Sequence, residues 1–263
     1  MPALLDVHGL TITVPGAERP IVDRLSFSIA SGEILAVVGE SGAGKSMTGL
    51  AVLGLVPPPL RMKAGAIFWK NYNLLKIDEP AMRRIRGREI GLVFQEPSAS
   101  MNPAIAVGRQ VAEVLQVHRG LSRDDARKEA IALMDRVRIA DPARRFHAYP
   151  HEMSGGMLQR IAIAIAIACK PDLLIADEPT AALDASVQRD VLELLAGIQR
   201  DSGMAMLFVT HNLALVAEMA DRVLVMREGR EVEQAGVFDL FESPQSEYTR
   251  ELLAASRGPE TSR

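Results

Sequence analysis

The stretch GESGAGKS, Gly39 to Ser46, constrains this chain more than any other. It matches the pattern G-x-x-x-x-G-K-[ST], follows the short apolar run Ile34 to Val38, and opens the helically patterned stretch Lys45 to Leu55. The order strand, glycine-rich loop, helix has a physical purpose. Glycines let backbone N–H groups reach an anion with no Cβ in the way, and a helix N-terminus adds partial positive charge. Lys45 can then reach the β- and γ-phosphates of a nucleoside triphosphate, and the Ser46 hydroxyl can ligate Mg²⁺. The candidate nucleotide-binding residues are Gly39, Glu40, Ser41, Gly42, Ala43, Gly44, Lys45, Ser46 and Met47. A glycine-rich turn that binds nothing is the plainer alternative, but it leaves the agreement of strand, Lys-Ser pair and helix unexplained. The loop alone says only that a nucleoside triphosphate is bound, since GTPases, kinases and helicases share it.

A strand feeding such a loop belongs to an α/β fold with a mainly parallel sheet. Leu4 to Val14 and Ile21 to Ile29 read as strands joined by the turn-rich VPGAERP. Ala66 to Trp69, Ile90 to Phe94, Leu173 to Ala176, Ala205 to Val209 and Val223 to Met226 read as further short strands, with helical stretches between them. Val107 to Val137 is patterned as helix, QEPSASMNP reads as loop, and Pro57-Pro58-Pro59 bars any continuation of the first helix. The tail RGPETSR is expected to be disordered.

The run IAIAIAIA after Arg160 resists simple pattern reading. Its period of two and its isoleucines suggest a strand. The alternate residues are alanine, however, so neither face is made for water. A buried helix accepts it, with Ile161/Ile165 and Ile163/Ile167 as i,i+4 pairs and Ser154 as N-cap. A helix is therefore expected here.

LLIADEPT ends an apolar run on Asp177 and Glu178. An Asp at a strand end beside a phosphate loop can hold Mg²⁺. The next residue faces elsewhere by strand alternation, which would free Glu178 to polarise an attacking water. A merely polar strand end is the ordinary alternative, and the phosphate loop weighs against it.

Composition excludes several classes. The chain has 263 residues, 48% hydrophobic and 24% charged, with a formal net charge of −3, so nothing draws it generally to nucleic acid or anionic lipid. Cys169 is its single cysteine, which rules out an internal disulfide and suits a reducing compartment. MPALLDVHGL has no signal-peptide pattern, and the apolar run Ile161 to Cys169 falls short of the about 20 residues of a spanning helix. His147 and His151 have Pro150 between them, which argues against one helical face, so the histidines read as surface residues rather than a transition-metal site.

With these residues in place, the chain resembles the ATP-binding cassette (ABC) family. MSGGMLQR at Met153 to Arg160 is similar to the family's signature, LLIADEP to its Walker B segment, and AALD at Ala181 to Asp184 to its D-loop. FVTHN places His211 at the switch-histidine position, and VFQEP places Gln95 at the Q-loop position. The resemblance implies an ABC-type nucleotide-binding domain with a RecA-like core, an antiparallel β-subdomain and a helical subdomain. It implies catalytic roles for Glu178, His211, Gln95 and Lys45, and a Mg²⁺ set of Ser46, Gln95 and Asp177 with ATP. Ser154, Gly155, Gly156 and Met157 would face the ATP of a second subunit, with Asp184 in the D-loop beside them. Residues 1–95 would form the N-terminal part of the core with the β-subdomain. Residues 96–153 would form the helical subdomain, 154–235 the signature helix and the rest of the core, and 236–263 the tail.

The family stacks adenine on an aromatic near the end of the first strand; Val14 stands there instead, and Met153 replaces the usual signature leucine. RGREIGLVFQEPSASMNP and LFESPQSEYTRELLAA resemble the peptide/nickel importer branch. The resemblance implies a second ATPase subunit, two transmembrane permease subunits and a solute-binding protein as partners, no nucleic acid, and a peripheral place on the cytoplasmic face of the inner membrane. Val107 to Arg119 would lie in the region contacting a permease. YPHEMSGGMLQR and the short tail favour nickel as cargo, with dipeptides or oligopeptides as the alternative. A DNA-maintenance ATPase would carry a long coiled-coil insertion and a translation-associated one a second cassette, and neither is present.

Overall fold

The computed structural model describes residues 3–181 and 183–256. RGPETSR at the C-terminus and Ala182 of the D-loop stretch lie outside them. The chain forms two units, one made of the residues up to Met82 together with those from Ala205 onward, the other of Arg83–Met204.

The first unit starts with β1 (Leu5–Thr13) and β2 (Val22–Ile29), which pair antiparallel across the VPGAERP connection. Leu5, Val7, Leu10 and Ile12 of β1 are fully buried. The entirely buried β3 (Ile34–Val38) leads into α1 (Lys45–Val52). This helix ends short of Leu55, in a turn where the Leu53 and Gly54 N–H groups bond back to Leu50 and Ala51. The prolines farther on therefore do not stop it. β4 (Arg61–Trp69) pairs antiparallel with β1 and with the short β5 (Tyr72–Asn73), giving a sheet ordered β2-β1-β4-β5. β4 starts earlier than Ala66, because its pairing with β1 extends to Arg61.

After α2 (Glu79–Ile85), the second unit places β6 (Ile90–Val93) ahead of α3 (Pro97–Ser100). α3 falls within a segment expected to be loop. Proline at the first helical turn lacks only an N–H that the helix would not have used. The single helical pattern of Val107 to Val137 is two helices, α4 (Val107–Arg119) and α5 (Arg123–Arg136). Gly120 ends the first, and Ser122 caps the second by accepting from the Asp125 N–H at 3.2 Å. α6 (Pro142–Arg145) precedes α7 (Gly155–Ile167), where the IAIAIAIA run is helical as expected. Ile161, Ala162, Ile163, Ala164, Ala166 and Ile167 are buried, so a helix apolar all round is enclosed by protein. β7 (Leu173–Asp177) then pairs parallel with β6, and α8 (Ala185–Ser202) follows.

The C-terminal portion returns to the first unit. β8 (Ala205–Val209) precedes α9 (Leu213–Met219), and β9 (Arg222–Arg227) follows it. β8 and β9 flank β3 in parallel register, Ala36 facing Phe208 on one side and Val223 on the other. All three strands are near-continuous apolar runs, as strands covered on both faces should be. β10 (Arg230–Gly236) pairs antiparallel with β9. REVEQAG had shown no strand pattern because its inner residues are only half-buried. α10 (Val237–Glu242) and α11 (Glu247–Ser256) complete the described chain.

Candidate active site

In the first unit the phosphate-loop candidates occupy the turn between β3 and α1. Gly39 has a φ of 148°, and a Cβ there would lie 2.1 Å from the Met226 carbonyl oxygen, so only glycine fits against the end of β9. Gly44 is the N-cap of α1 and offers no side chain to the helix's first N–H groups. N–H groups that open a helix are the donors suited to meet an anion. Lys45 is 5% exposed, and its ammonium donates to the carbonyls of Gly39 and Glu40, both at 2.9 Å. Glu40, Ser41 and Gly42 are exposed, Ala43 is buried, and Ser46 and Met47 are half-buried. The loop is thus a cationic, donor-rich turn on the C-terminal end of a parallel strand.

His211 stands exposed just after β8, one of the two strands that flank the phosphate-loop strand β3. The buried Thr210 ties this corner to β3 through its N–H and the Val37 carbonyl at 3.2 Å. Asn212 caps α9 by accepting from the Ala214 and Leu215 N–H groups. Val14 lies half-buried just past the end of β1.

In the second unit Gln95 follows β6, and Asp177 and Glu178 stand at and just beyond the end of β7. The pairing of β6 with β7 brings these corners together, and the Gln95 amide donates to a Glu178 carboxylate oxygen at 3.4 Å. Strand alternation does not aim Glu178. The strand ends at Asp177, and Glu178 has a φ of 43°, in the left-handed region, so a sharp turn redirects its side chain. Non-glycine residues held there cost of order 1–3 kcal/mol, and such strain is found at functional turns.

The signature-like residues begin α7. Ser154 is exposed, and its hydroxyl accepts from the Met157 N–H at 3.3 Å, so it is the N-cap foreseen. Met153 is buried, consistent with replacing a leucine at little loss. Gly156 has a role within this unit: a Cβ there would meet a Val187 methyl at 2.6 Å, so its absence lets α7 lie close to α8. A Cβ on Gly155 would make only ordinary contact, 3.7 Å from Leu183. Asp184 caps α8 by accepting from the Val187 N–H at 3.1 Å and from the Ser186 hydroxyl at 2.9 Å. Those bonds hold its carboxyl below the usual carboxylate range.

Two functional candidates have no signature in the sequence. Tyr248 of α11 reaches Glu40, and Glu233 of β10 anchors the start of α11. Both depend on contacts distant in sequence. Of the histidines, His147 lies near Arg127 and His151 stacks on Tyr149. Among the described residues no group of three or more His, Cys, Asp or Glu is placed to hold a metal ion, and no helix is long and apolar enough to cross a membrane.

The model of the ABC transporter family matches residues 22–181, from β2 through the Asp177-Glu178 turn. The chain belongs to the ABC transporter family. Among curated relatives, it is 47% identical to "Probable peptide ABC transporter ATP-binding protein y4tR" of Sinorhizobium fredii, over 95% of this chain and 76% of that protein. It is 44% identical to "Dipeptide transport ATP-binding protein DppD" of Escherichia coli, over 96% and 78%. Among solved structures, the ATP-binding cassette MJ0796, a dimer bound to ADP and Pi, superposes with a TM-score of 0.78 at 26% identity, covering 89% of this chain and 98% of that one. The ABC transporter component cbiO1 of Clostridium perfringens gives 0.78 at 27% identity, covering 92% of each. The fold of this ABC protein is the cassette ATPase fold, and its chemistry is ATP hydrolysis coupled to transport.

Proposed function

We propose that this chain is the ATP-hydrolysing subunit of a bacterial-type peptide importer. The observation that carries the reading is its 47% and 44% identity, across nearly the whole chain, to proteins named for peptide and dipeptide transport. The nickel preference drawn from YPHEMSGGMLQR finds no support in those relatives, so the peptide alternative takes its place.

In this reading Lys45 and the N–H groups opening α1 bind the phosphates of ATP. Ser46, Asp177 and Gln95 offer hydroxyl, carboxylate and amide oxygens, the hard donors that suit Mg²⁺ while it keeps waters and phosphate oxygens as its other ligands. Mg²⁺ supplies neutralisation of the phosphate charge when bound with ATP. Glu178 accepts a hydrogen bond or proton from the attacking water, Gln95 holds its carboxylate in place, and His211 contributes a polar contact to the phosphate. Ser154, Gly155, Gly156 and Met157 present the N-terminus of α7 to the nucleotide of a second ATPase subunit, and Asp184 sits in the accompanying D-loop. Residues 1–95 and 154–235 supply the ATP-binding core, 96–153 the helical part, and 236–263 the tail.

The partners are a second ATPase, two permease subunits and, through them, a solute-binding protein. The chain lies peripherally on the cytoplasmic face of the inner membrane. Deleting its gene should abolish growth on di- or oligopeptides as sole amino-acid source and leave nickel uptake intact. Normal peptide growth with lost high-affinity nickel uptake would reverse the cargo.

A further inference from the structure

The phosphate loop is gripped from the far end of the chain. Tyr248, on α11, is 6% exposed, and its hydroxyl accepts from the Glu40 N–H at 3.4 Å. Burial and the charge of the nearby Glu40 carboxylate push the phenol above its ordinary range. On the other side of Glu40, its carbonyl accepts from the Lys45 ammonium at 2.9 Å. Glu40 therefore links the buried lysine to the C-terminal helix.

Two further contacts stiffen this link. The Arg227 guanidinium lies over the Tyr248 ring, 4.6 Å from its centroid, and comes from the residue after Met226, whose carbonyl abuts Gly39. Glu233 accepts from the N–H groups of Gln245 at 2.8 Å and Ser246 at 3.0 Å, just before α11, so the helix start is tied to β10. Thr249 and Leu253 are buried beyond it. A tyrosine serving only to fill the core would need neither the hydroxyl contact nor a charged partner on the loop.

We propose that Tyr248 is a positioning residue for the phosphate loop, holding Glu40 by its backbone N–H so that α11 sets the loop geometry in which Lys45 meets ATP. The inference rests on the ATP-binding reading above. Through it the C-terminal helix becomes a handle on nucleotide affinity, open to any partner that shifts α11.

The test is equilibrium binding of Mg-ATP to the full chain for wild type, Y248F and K45A. Y248F keeps the ring and its stacking, so melting should stay within about 2 °C of wild type, while the dissociation constant rises about 3- to 10-fold, the range for one lost hydrogen bond. In the assembled transporter Y248F should raise KM for ATP and leave kcat within about two-fold, a split that core filling alone would not produce. Wild-type affinity in Y248F would overturn the inference. Wild-type binding that K45A abolishes and Y248F leaves untouched would sink this inference alone; no binding by wild type would bring down the ATP-binding reading as well.

Discussion

Gln95 and Glu178 lie 83 residues apart in sequence, yet the amide of one donates to the carboxylate of the other at 3.4 Å. The parallel register of β6 and β7 makes the contact. Val93 faces Ala176, so the residues just past each strand end share a corner. The left-handed turn at Glu178 completes it. The amide holds the carboxylate at that corner, the place from which a general base would act.

Glu178→Gln should therefore keep ATP binding near wild type and cut turnover by roughly 10²-fold or more, the usual scale for losing a general base. Measuring nucleotide affinity and steady-state hydrolysis in parallel separates the two effects. Near-normal turnover would remove Glu178 from the mechanism.

Ser154 has a structural and a proposed functional role on the same oxygen. Replacing it with alanine should cost the protein about 1 kcal/mol through the lost cap on α7. Asparagine caps as well as serine, so Ser154→Asn should restore stability in urea unfolding. Hydrolysis that depends on a second subunit should stay impaired in that variant if the seryl hydroxyl meets the partner's nucleotide. Full recovery of both would reduce Ser154 to a cap.

In the proposed reading Val14 would stand at the adenine end and offer only a small apolar contact. Val14→Tyr should tighten ATP binding by about 0.5–1.5 kcal/mol, the typical gain of an aromatic pair. Competition between ATP and GTP checks it. Strong adenine selectivity in wild type, unchanged by the substitution, would mean that another group holds the base.

Glu233 should make α11 acid-sensitive. Burial alone would raise its pKa, but the bonds from the Gln245 and Ser246 N–H groups, the neighbouring Thr249 and the charge of Arg250 outweigh it and hold the carboxyl below the usual carboxylate range. A pKa lower in the folded chain than in the unfolded one gives stability that is fully present above the unfolded value and is lost as pH falls through the folded one. The stability difference between wild type and Glu233→Gln should accordingly be largest near neutral pH and shrink as the pH falls below the ordinary carboxylate range. A difference independent of pH would show that the carboxylate's charge contributes nothing.

Some of this was legible from residue order alone. GESGAGKS after an apolar run specified a strand, a loop and a helix, because only that backbone path brings several N–H groups to one anion. IAIAIAIA specified a buried helix, because alanine leaves no polar face for a half-exposed strand. Ser154 was legible too, since a cap acts on residues a few positions away.

Other features were decided only by the tertiary structure. The aim of Glu178 follows from a turn that β7 and its neighbour impose, not from strand alternation. α3 forms where composition suggested loop, and β10 forms on an edge too weakly buried to leave a period. Gly156 is needed because Val187, on another helix, comes within 2.6 Å of where a Cβ would be. The grip of Tyr248 on Glu40 joins residues 208 positions apart. Sequence determines what each short segment can do by itself, because propensities, caps and phosphate loops act over one or two turns of chain. Which distant side chain closes on a segment depends on strand order and helix packing, and these are settled only when the whole core is assembled.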